Sequence, residues 1–192
     1  MSDFAFYFKM GWEHIISRDA LDHQLFVLAL ACVYSIRDIK KVLILVTAFT
    51  IGHSLTLALS VYDIIRFPSK WVEFLIPCTI FITALNNVIQ VDNKGKSARI
   101  NYYLALFFGL IHGMGFANAI RIMLASDQTI GWGLFGFNIG LEAGQIFCVA
   151  IILIVSILFL NLLKINRRDW VVFLSAGVFA LSLKMALERL PF

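Results

Sequence analysis

A histidine stands inside a long apolar run in the stretch Thr47-Ala48-Phe49-Thr50-Ile51-Gly52-His53-Ser54-Leu55-Thr56-Leu57. On a helix, Thr47, Thr50 and Ser54 fall on one side with His53 beside them, because residues three and four apart share a face. The run is long enough to cross a bilayer, where an ionisable side chain is costly unless it meets a partner or water. The stretch therefore predicts a membrane-spanning helix that presents His53 to the interior of a bundle.

The composition of the whole chain agrees with a membrane location. Hydrophobic residues make up 60% of the 192 residues and charged residues 15%, against about 25% charged residues in soluble domains. The mean hydropathy is +0.87. We expect an all-α fold, organised as a single polytopic domain over residues 1–192 in an inner (plasma) membrane. The net charge of +4 sits in short loops, so a nucleic-acid partner is not expected.

Six apolar segments are near the length of about 20 residues that a spanning helix needs. They cover approximately 21–37, 41–62, 71–91, 101–124, 132–162 and 170–189. The preceding segment, 1–20, is aromatic, amphipathic and interrupted by charges, which is typical of a helix at the membrane interface. The sequence thus predicts about six transmembrane helices preceded by an interfacial helix.

Basic residues are unevenly distributed among the five connections. Three belong to the second and fourth connections: Arg66, Lys70 and Arg121. Nine belong to the first, third and fifth: Arg37, Lys40, Lys41, Lys94, Lys96, Arg99, Lys164, Arg167 and Arg168. Because cytoplasmic loops carry the excess of Lys and Arg, the odd connections are predicted to be cytoplasmic and both termini periplasmic or extracellular.

The four histidines of the chain are candidate metal ligands: His14, His23, His53 and His112. His14 and His23 lie on either side of an expected helix break, and Asp22 directly precedes His23. His112 falls near the middle of the fourth predicted span, between Gly109 and Gly113, a small-xxx-small pair that lets another helix approach closely.

Glu142 is the most informative acid, because it falls near the middle of the fifth predicted span. An unpaired carboxylate at that depth either takes a proton or binds a cation. Asn138 and Gln145 share its helix face at spacings of four and three. Gly136, Gly140 and Gly144 occupy a roughly opposite face suited to tight packing, and Thr50 and Ser54 are expected to orient the ring of His53.

Imidazoles combined with carboxylates suit a divalent transition metal such as zinc, nickel or cobalt. The chain has no CxxC motif that would indicate a thiolate site, since Cys32, Cys78 and Cys148 stand alone. We expect His53, His112 and Glu142 to converge in one coordination shell, with His23, Asp22 and His14 on its outer side. Transport or handling of the metal is the leading interpretation. A zinc-like intramembrane hydrolase and a structural subunit with hydrogen-bonding histidines are the alternatives.

Five motifs in this order resemble those of HupE/UreJ-type membrane proteins. They are Gly11-Trp12-Glu13-His14-Ile15, Leu21-Asp22-His23-Gln24-Leu25-Phe26, Thr47 to Ser54, Phe108-Gly109-Leu110-Ile111-His112-Gly113 and Phe137-Asn138-Ile139-Gly140-Leu141-Glu142. The resemblance covers most of the chain and is that of a divergent branch. It implies an integral membrane protein linked to nickel or cobalt uptake for hydrogenase or urease maturation. The expected partners are the metal ion and the lipid bilayer, with a homo-oligomer or a partner membrane protein left open.

Overall fold

The computed structural model describes the backbone of residues 3–91, 98–124 and 130–192, and side chains within 4–91, 101–116 and 131–192. The described chain is all-α and contains no strand. Its helices are α1 (Asp3–Ile16), α2 (Leu21–Ala31), α3 (Ile39–Val61), α4 (Ser69–Gln90), α5 (Ala98–Leu124), α6 (Ile130–Leu162) and α7 (Arg167–Glu188). Short 3-10 turns at Arg18–Ala20 and Ile36–Asp38 precede α2 and α3. The connections at 92–97 and 125–129, and the side chains of Lys94, Lys96, Arg99 and Arg121, lie outside the described residues.

Among the described residues, four stretches are long and apolar enough to cross a membrane: Ile36–Val61, Ser69–Gln90, Gly131–Leu162 and Arg167–Glu188. The all-α, membrane-spanning character predicted from the sequence is confirmed, whereas the count of about six spans is not. Helices α3 to α7 match the last five predicted spans to within three residues at each end.

The first predicted span, 21–37, is wrong in extent. Helix α2 ends at Ala31 after 11 residues, which gives a length of about 17 Å against a hydrocarbon core of roughly 30 Å. The apolar run continues beyond it through Cys32 and Val33, but the backbone there forms a turn. Hydropathy alone did not reveal where the helix stops.

Helix α1, which falls in the segment predicted to be interfacial, packs along α6 through backbone-to-backbone contact. A Cβ atom added at Gly11 would lie 2.0 Å from the carbonyl oxygen of Phe137, and one at Gly140 would lie 2.0 Å from that of Phe8. The side chains of Tyr7 and Ile15 are buried in the same contact region. The glycines predicted to favour tight packing therefore serve to dock the N-terminal helix.

The chain breaks between α1 and α2 because Ser17 adopts an extended conformation (φ −62°, ψ 158°). The side-chain amide of Gln24 donates hydrogen bonds to the carbonyls of Ile15, Ile16 and Ser17 at 3.1, 3.2 and 2.8 Å. The carbonyls of Ile15 and Ile16 belong to the end of α1, where the last carbonyls have no intrahelical partner, and the carbonyl of Ser17 also accepts from the backbone N–H of Ala20 at 3.1 Å. Gln24 thus stabilises the break that separates His14 from His23.

Helices α3 and α5 run parallel in close contact, joined by three glycines. A Cβ atom at Gly109 would lie 2.2 Å from the carbonyl oxygen of Phe49, and one at Gly113 would lie 2.3 Å from that of His53. Gly52 meets the carbonyl oxygen of Leu106 at a similar 2.3 Å. This close approach sets His53 and His112 on adjoining helices at one level of the bundle.

Candidate metal centre

The four histidines come from four different helices and meet around one point. His14 lies near the end of α1 and His23 at the start of α2, with ring centroids 4.7 Å apart. His53 of α3 lies 6.2 Å from His14 and 6.1 Å from His23. His112 of α5 lies 5.1 Å from His23. Ligand atoms of His14, His23 and His53 all fall within 4.8 Å of one another, a grouping that could hold a metal ion.

Five ring nitrogens of this cluster lack protein partners within the described part of the chain. Those buried without a hydrogen bond are Nε2 of His14, Nε2 of His23, both nitrogens of His53 and Nδ1 of His112. Leaving a buried donor or acceptor unpaired costs about 1–3 kcal/mol. Five such atoms at one place therefore indicate a site for a ligand and argue against histidines that merely join helices.

The carboxylate of Asp22 determines which ring nitrogen of His23 carries the proton. Its Oδ1 accepts hydrogen bonds from the backbone N–H of His23 at 2.9 Å and from the ring Nδ1 at 3.0 Å. With the ring proton held on Nδ1, the lone pair of His23 stays on Nε2, the nitrogen without a partner. Carboxylates commonly fix the ring orientation and tautomer of metal-ligating histidines in this way.

Thr79 of α4 determines which ring nitrogen of His112 carries the proton. The threonine hydroxyl donates to the carbonyl of Ile76 at 2.7 Å, so its only proton is already used. It can then only accept at its 3.3 Å contact with Nε2 of His112, which places the ring proton on Nε2 and the lone pair on Nδ1. His112 therefore presents a lone pair from Nδ1.

Aromatic rings surround the cluster and limit its access to water. The ring of His14 lies 4.1 Å from Phe116 and 5.6 Å from Phe137. Phe49 lies 5.1 Å from His112 and 6.1 Å from His53. His53 and His112 are 0% and 1% exposed, so a bound ion would be largely desolvated.

A cavity of about 380 Å³ opens from the cluster towards the ends of the helices, and we call it the outer cavity. It is lined by His14, Ser17, Asp19, Ala20, Asp22, His23, Glu73, Ile76, His112, Gly115, Phe116 and Arg189. Arg189 reaches in from the end of α7, where Nη1 lies 3.5 Å from Oδ2 of Asp22 and 3.5 Å from the carbonyl of Glu73. The cavity thus joins the histidines to a mouth lined by charged residues.

Glu142 does not join the histidine cluster, contrary to the expectation from the sequence. Its Oε1 accepts a hydrogen bond from Thr47 at 2.6 Å. On α6 the residue that faces His53 is Phe137, with ring centroids 6.3 Å apart. Glu142 is five residues further along, which turns it roughly 140° around the helix. Thr47 lies six residues before His53 on α3, about 9 Å along the helix, so Glu142 forms its contact at a different level of the bundle from the histidines.

Of the four residues expected to support the site (Thr50, Ser54, Asn138 and Gln145), Thr50, Ser54 and Gln145 form other contacts. Thr50 donates to Oε1 of Gln145 at 2.9 Å, and Ser54 donates to the carbonyl of Thr50 at 2.7 Å. Oδ1 of Asn138 is buried without a partner among the described residues. Thr50 and Ser54 therefore do not orient the ring of His53.

The sequence did not identify Thr79 and Arg189 as parts of the site. It gave Gln24 no role beyond its place in the motif Leu21 to Phe26. Thr79 belongs to a polar stripe on α4 that also suits helix–helix contact, so its pattern carries no specific signal. Arg189 follows the last helix and reaches Asp22 across almost the whole chain. Gln24 offered a weak signal, as an amide directly after an expected helix break.

A bundle of long apolar helices around buried histidines defines a polytopic membrane protein with a site that could hold a metal ion. The chain belongs to the HupE / UreJ protein family, whose family model matches residues 1–188. No curated protein and no solved structure matches it.

Proposed function

We propose that the protein binds a divalent transition-metal ion as its substrate, through His14, His23 and His53 with His112 alongside, and carries it across a membrane. The observation that supports this most is the set of five buried ring nitrogens without partners in the described chain. His23 and His112 each present a lone pair because Asp22 and Thr79 hold the ring proton on the other nitrogen.

The spacing of the ligand atoms suits one ion. Two imidazole nitrogens bound to the same metal at about 2.0–2.1 Å are roughly 3–4 Å apart in tetrahedral or octahedral geometry. The upper separation of 4.8 Å among His14, His23 and His53 closes to that range by small rotations of the rings. A site rich in imidazole and without thiolate suits zinc, nickel or cobalt.

We further propose that the chain crosses the membrane six times, with α1 and α2 together forming the first crossing. Helix α1 contacts α6 from Gly136 to Gly144. Val27 and Ala31 of α2 pack in one cluster with Val149 and Leu153, further along α6. A broken helix that follows α6 in this way places its break beside the metal site, as transporters do with discontinuous helices at their binding sites. The odd connections would then be cytoplasmic, with both termini outside an inner membrane.

An intramembrane metal hydrolase is the second candidate, and the outer cavity favours it. Asp19 and Glu73 line that cavity together with His14, His23 and His112. A hydrolase needs a metal with an open coordination position and a carboxylate that can act as a general base. Such an enzyme would keep its metal tightly bound and move none across the membrane.

Two measurements test the proposed function. The purified protein is titrated with Ni²⁺, Co²⁺ and Zn²⁺ by calorimetry, and uptake is followed in proteoliposomes that contain a metal-sensitive dye. We expect binding of one ion per chain and uptake into the vesicles. His53→Ala should abolish both, while Glu142→Gln, a matched polar change outside the cluster, should retain both.

Two results would contradict metal transport. Absence of stoichiometric binding in the wild-type protein would reject the metal site. Tight binding without uptake, accompanied by a metal that survives dialysis, would favour the hydrolase.

A further inference from the structure

A second cavity lies at the opposite end of the bundle from the outer cavity. It has a volume of about 90 Å³, which exceeds the roughly 10–15 Å³ that a single water molecule requires. Its polar lining comes from five side chains: Tyr34, Thr83, Asn86, Asn87 and Asn101. We call this cavity the inner chamber.

The two cavities open towards opposite ends of the same helices. Asp22 and Glu73, near the starts of α2 and α4, line the outer cavity. Asn87, near the end of α4, and Asn101, near the start of α5, line the inner chamber. The inner chamber therefore lies on the side of the first and third connections, which carry most of the basic residues. By the charge distribution this side is the cytoplasm.

A buried aromatic ring separates the two cavities. Phe26 of α2 is fully buried, and its ring lies 4.8 Å from Phe49, 5.9 Å from Phe108 and 5.3 Å from His112. Phe108 lines the inner chamber, and His112, one helical turn further, lines the outer cavity. Apolar constrictions of this kind close pores by excluding water.

Helix α2 carries a ligand, the barrier and a wall of the inner chamber on three successive turns. His23 belongs to the metal cluster, Phe26 is the barrier, and Ala29 lines the inner chamber. The carbonyl of Ala29 accepts a hydrogen bond from Asn87 at 2.7 Å, which links α2 to the chamber wall on α4. Since α2 is only 11 residues long and follows a break, a change at His23 can move it as one unit.

Polar groups continue past the barrier along α4. Thr79 contacts His112, and the hydroxyl of Thr83, one turn further, donates to the carbonyl of Thr79 at 2.8 Å. Thr83 lines the inner chamber. Hydroxyl and amide oxygens can replace part of the water shell of a divalent cation during passage.

We propose that the inner chamber is the release site for the metal ion, and that Phe26 is the barrier that keeps it closed to the outer cavity. This inference rests on the proposed transport function, because a release site has meaning only for a transported ion. Binding of the ion at His23 would shift α2 and move the ring of Phe26 out of the path.

Water access to the inner chamber can be measured without any metal. Thr83→Cys is introduced into a protein whose Cys32, Cys78 and Cys148 are replaced by serine, and sealed vesicles are treated with a membrane-impermeant cationic thiol reagent. Lys40→Cys and Lys70→Cys, at exposed positions in the first turns of α3 and α4, mark the two sides. We expect Thr83→Cys to be labelled only from the side of Lys40→Cys.

Removal of the barrier should change this pattern. Phe26→Ala added to Thr83→Cys should produce labelling from the side of Lys70→Cys as well. Phe81→Ala is the matched control, because Phe81 packs against Phe179 of α7 at 6.0 Å and lines neither cavity. It should leave the labelling one-sided. If Phe26→Ala does not fold, Phe108→Ala removes the facing ring and should have the same effect.

Several outcomes would overturn the inference. They are labelling of Thr83→Cys from neither side, labelling from the side of Lys70→Cys alone, and unchanged one-sided labelling in both Phe26→Ala and Phe108→Ala.

A second experiment tests the chamber wall. Asn87→Leu should abolish uptake into proteoliposomes while metal binding to the purified protein persists, and retained uptake would also contradict the release site. Failure of the proposed function can be distinguished from failure of the release site. If the proposed function is wrong, the wild-type protein does not bind the metal, whatever the labelling shows.

Discussion

Gly113→Ala tests the contact between α3 and α5 that holds two histidines together. The added Cβ would lie 2.3 Å from the carbonyl oxygen of His53 and 2.3 Å from Oγ1 of Thr56. An ordinary van der Waals contact begins near 3.4 Å, so α3 and α5 must separate by roughly 1 Å at this level. The first obstacle is backbone, which cannot rotate away as a flexible side chain would.

The expected cost is that of overpacking, about 1–3 kcal/mol. For a chain of this size that corresponds to a fall in melting temperature of roughly 2–12 °C. The displacement acts on the backbone of His53 itself, and a metal site tolerates a deviation of only about 0.5 Å from its productive geometry. We therefore expect Gly113→Ala to weaken metal binding as well, measured by thermal unfolding and by metal titration of the detergent-purified protein.

Gly177→Ala is the matched control. A Cβ at Gly177 of α7 meets nothing within 4 Å among the described residues, so alanine should be neutral or stabilise the helix by up to about 1 kcal/mol. Equal melting temperatures and equal metal affinities for the two variants would refute the close α3–α5 contact. Leucine at position 113 should be more disruptive than alanine, since it adds a branched side chain to the same space.

Three further predictions concern the break, the cluster and the topology. Gln24→Leu should lower the free energy of unfolding by about 1–3 kcal/mol, because the carbonyls of Ile15 and Ile16 lose their donor; an unchanged denaturation midpoint would argue against this capping role. Asp22→Asn should weaken metal affinity by about 10–100-fold in calorimetric titration, the usual loss when a partner of a ligating histidine is changed, and wild-type affinity would show that Asp22 does not orient His23. Lys40→Cys should react with an impermeant thiol reagent in intact cells only after permeabilisation, and ready reaction from outside would reverse the predicted orientation.

The positions of α3 to α7 could be predicted from hydropathy, because a membrane-spanning helix needs a long apolar run. The exception is the region from 21 to 37, where the run is continuous but the helix is not. What stops α2 and separates it from α1 is a set of tertiary and local hydrogen bonds, such as those of Gln24. Hydropathy carries no information about them.

The structure brings together the histidines and Asp22 that the sequence grouped, whereas it places Glu142 elsewhere. An imidazole buried in an apolar bundle needs a partner, and this requirement holds whichever helices are neighbours. The position of Glu142 depends instead on how α6 packs against α3, with Phe137 beside His53 and Thr47 beside Glu142. Helical periodicity gives the faces of one helix but not which face of another it meets.

The docking of α1 on α6 has a consequence for the biogenesis of the protein. His14 is synthesised 126 residues before Gly140, against which its helix packs. Chains grow at about 5–20 residues per second, so the cluster lacks its N-terminal ligand for several seconds of synthesis. His23 and His53 are synthesised before α6, so under the proposed function full metal affinity would arise only when α6 has been inserted. The order of synthesis would thereby delay capture of the proposed ion until the bundle has been assembled.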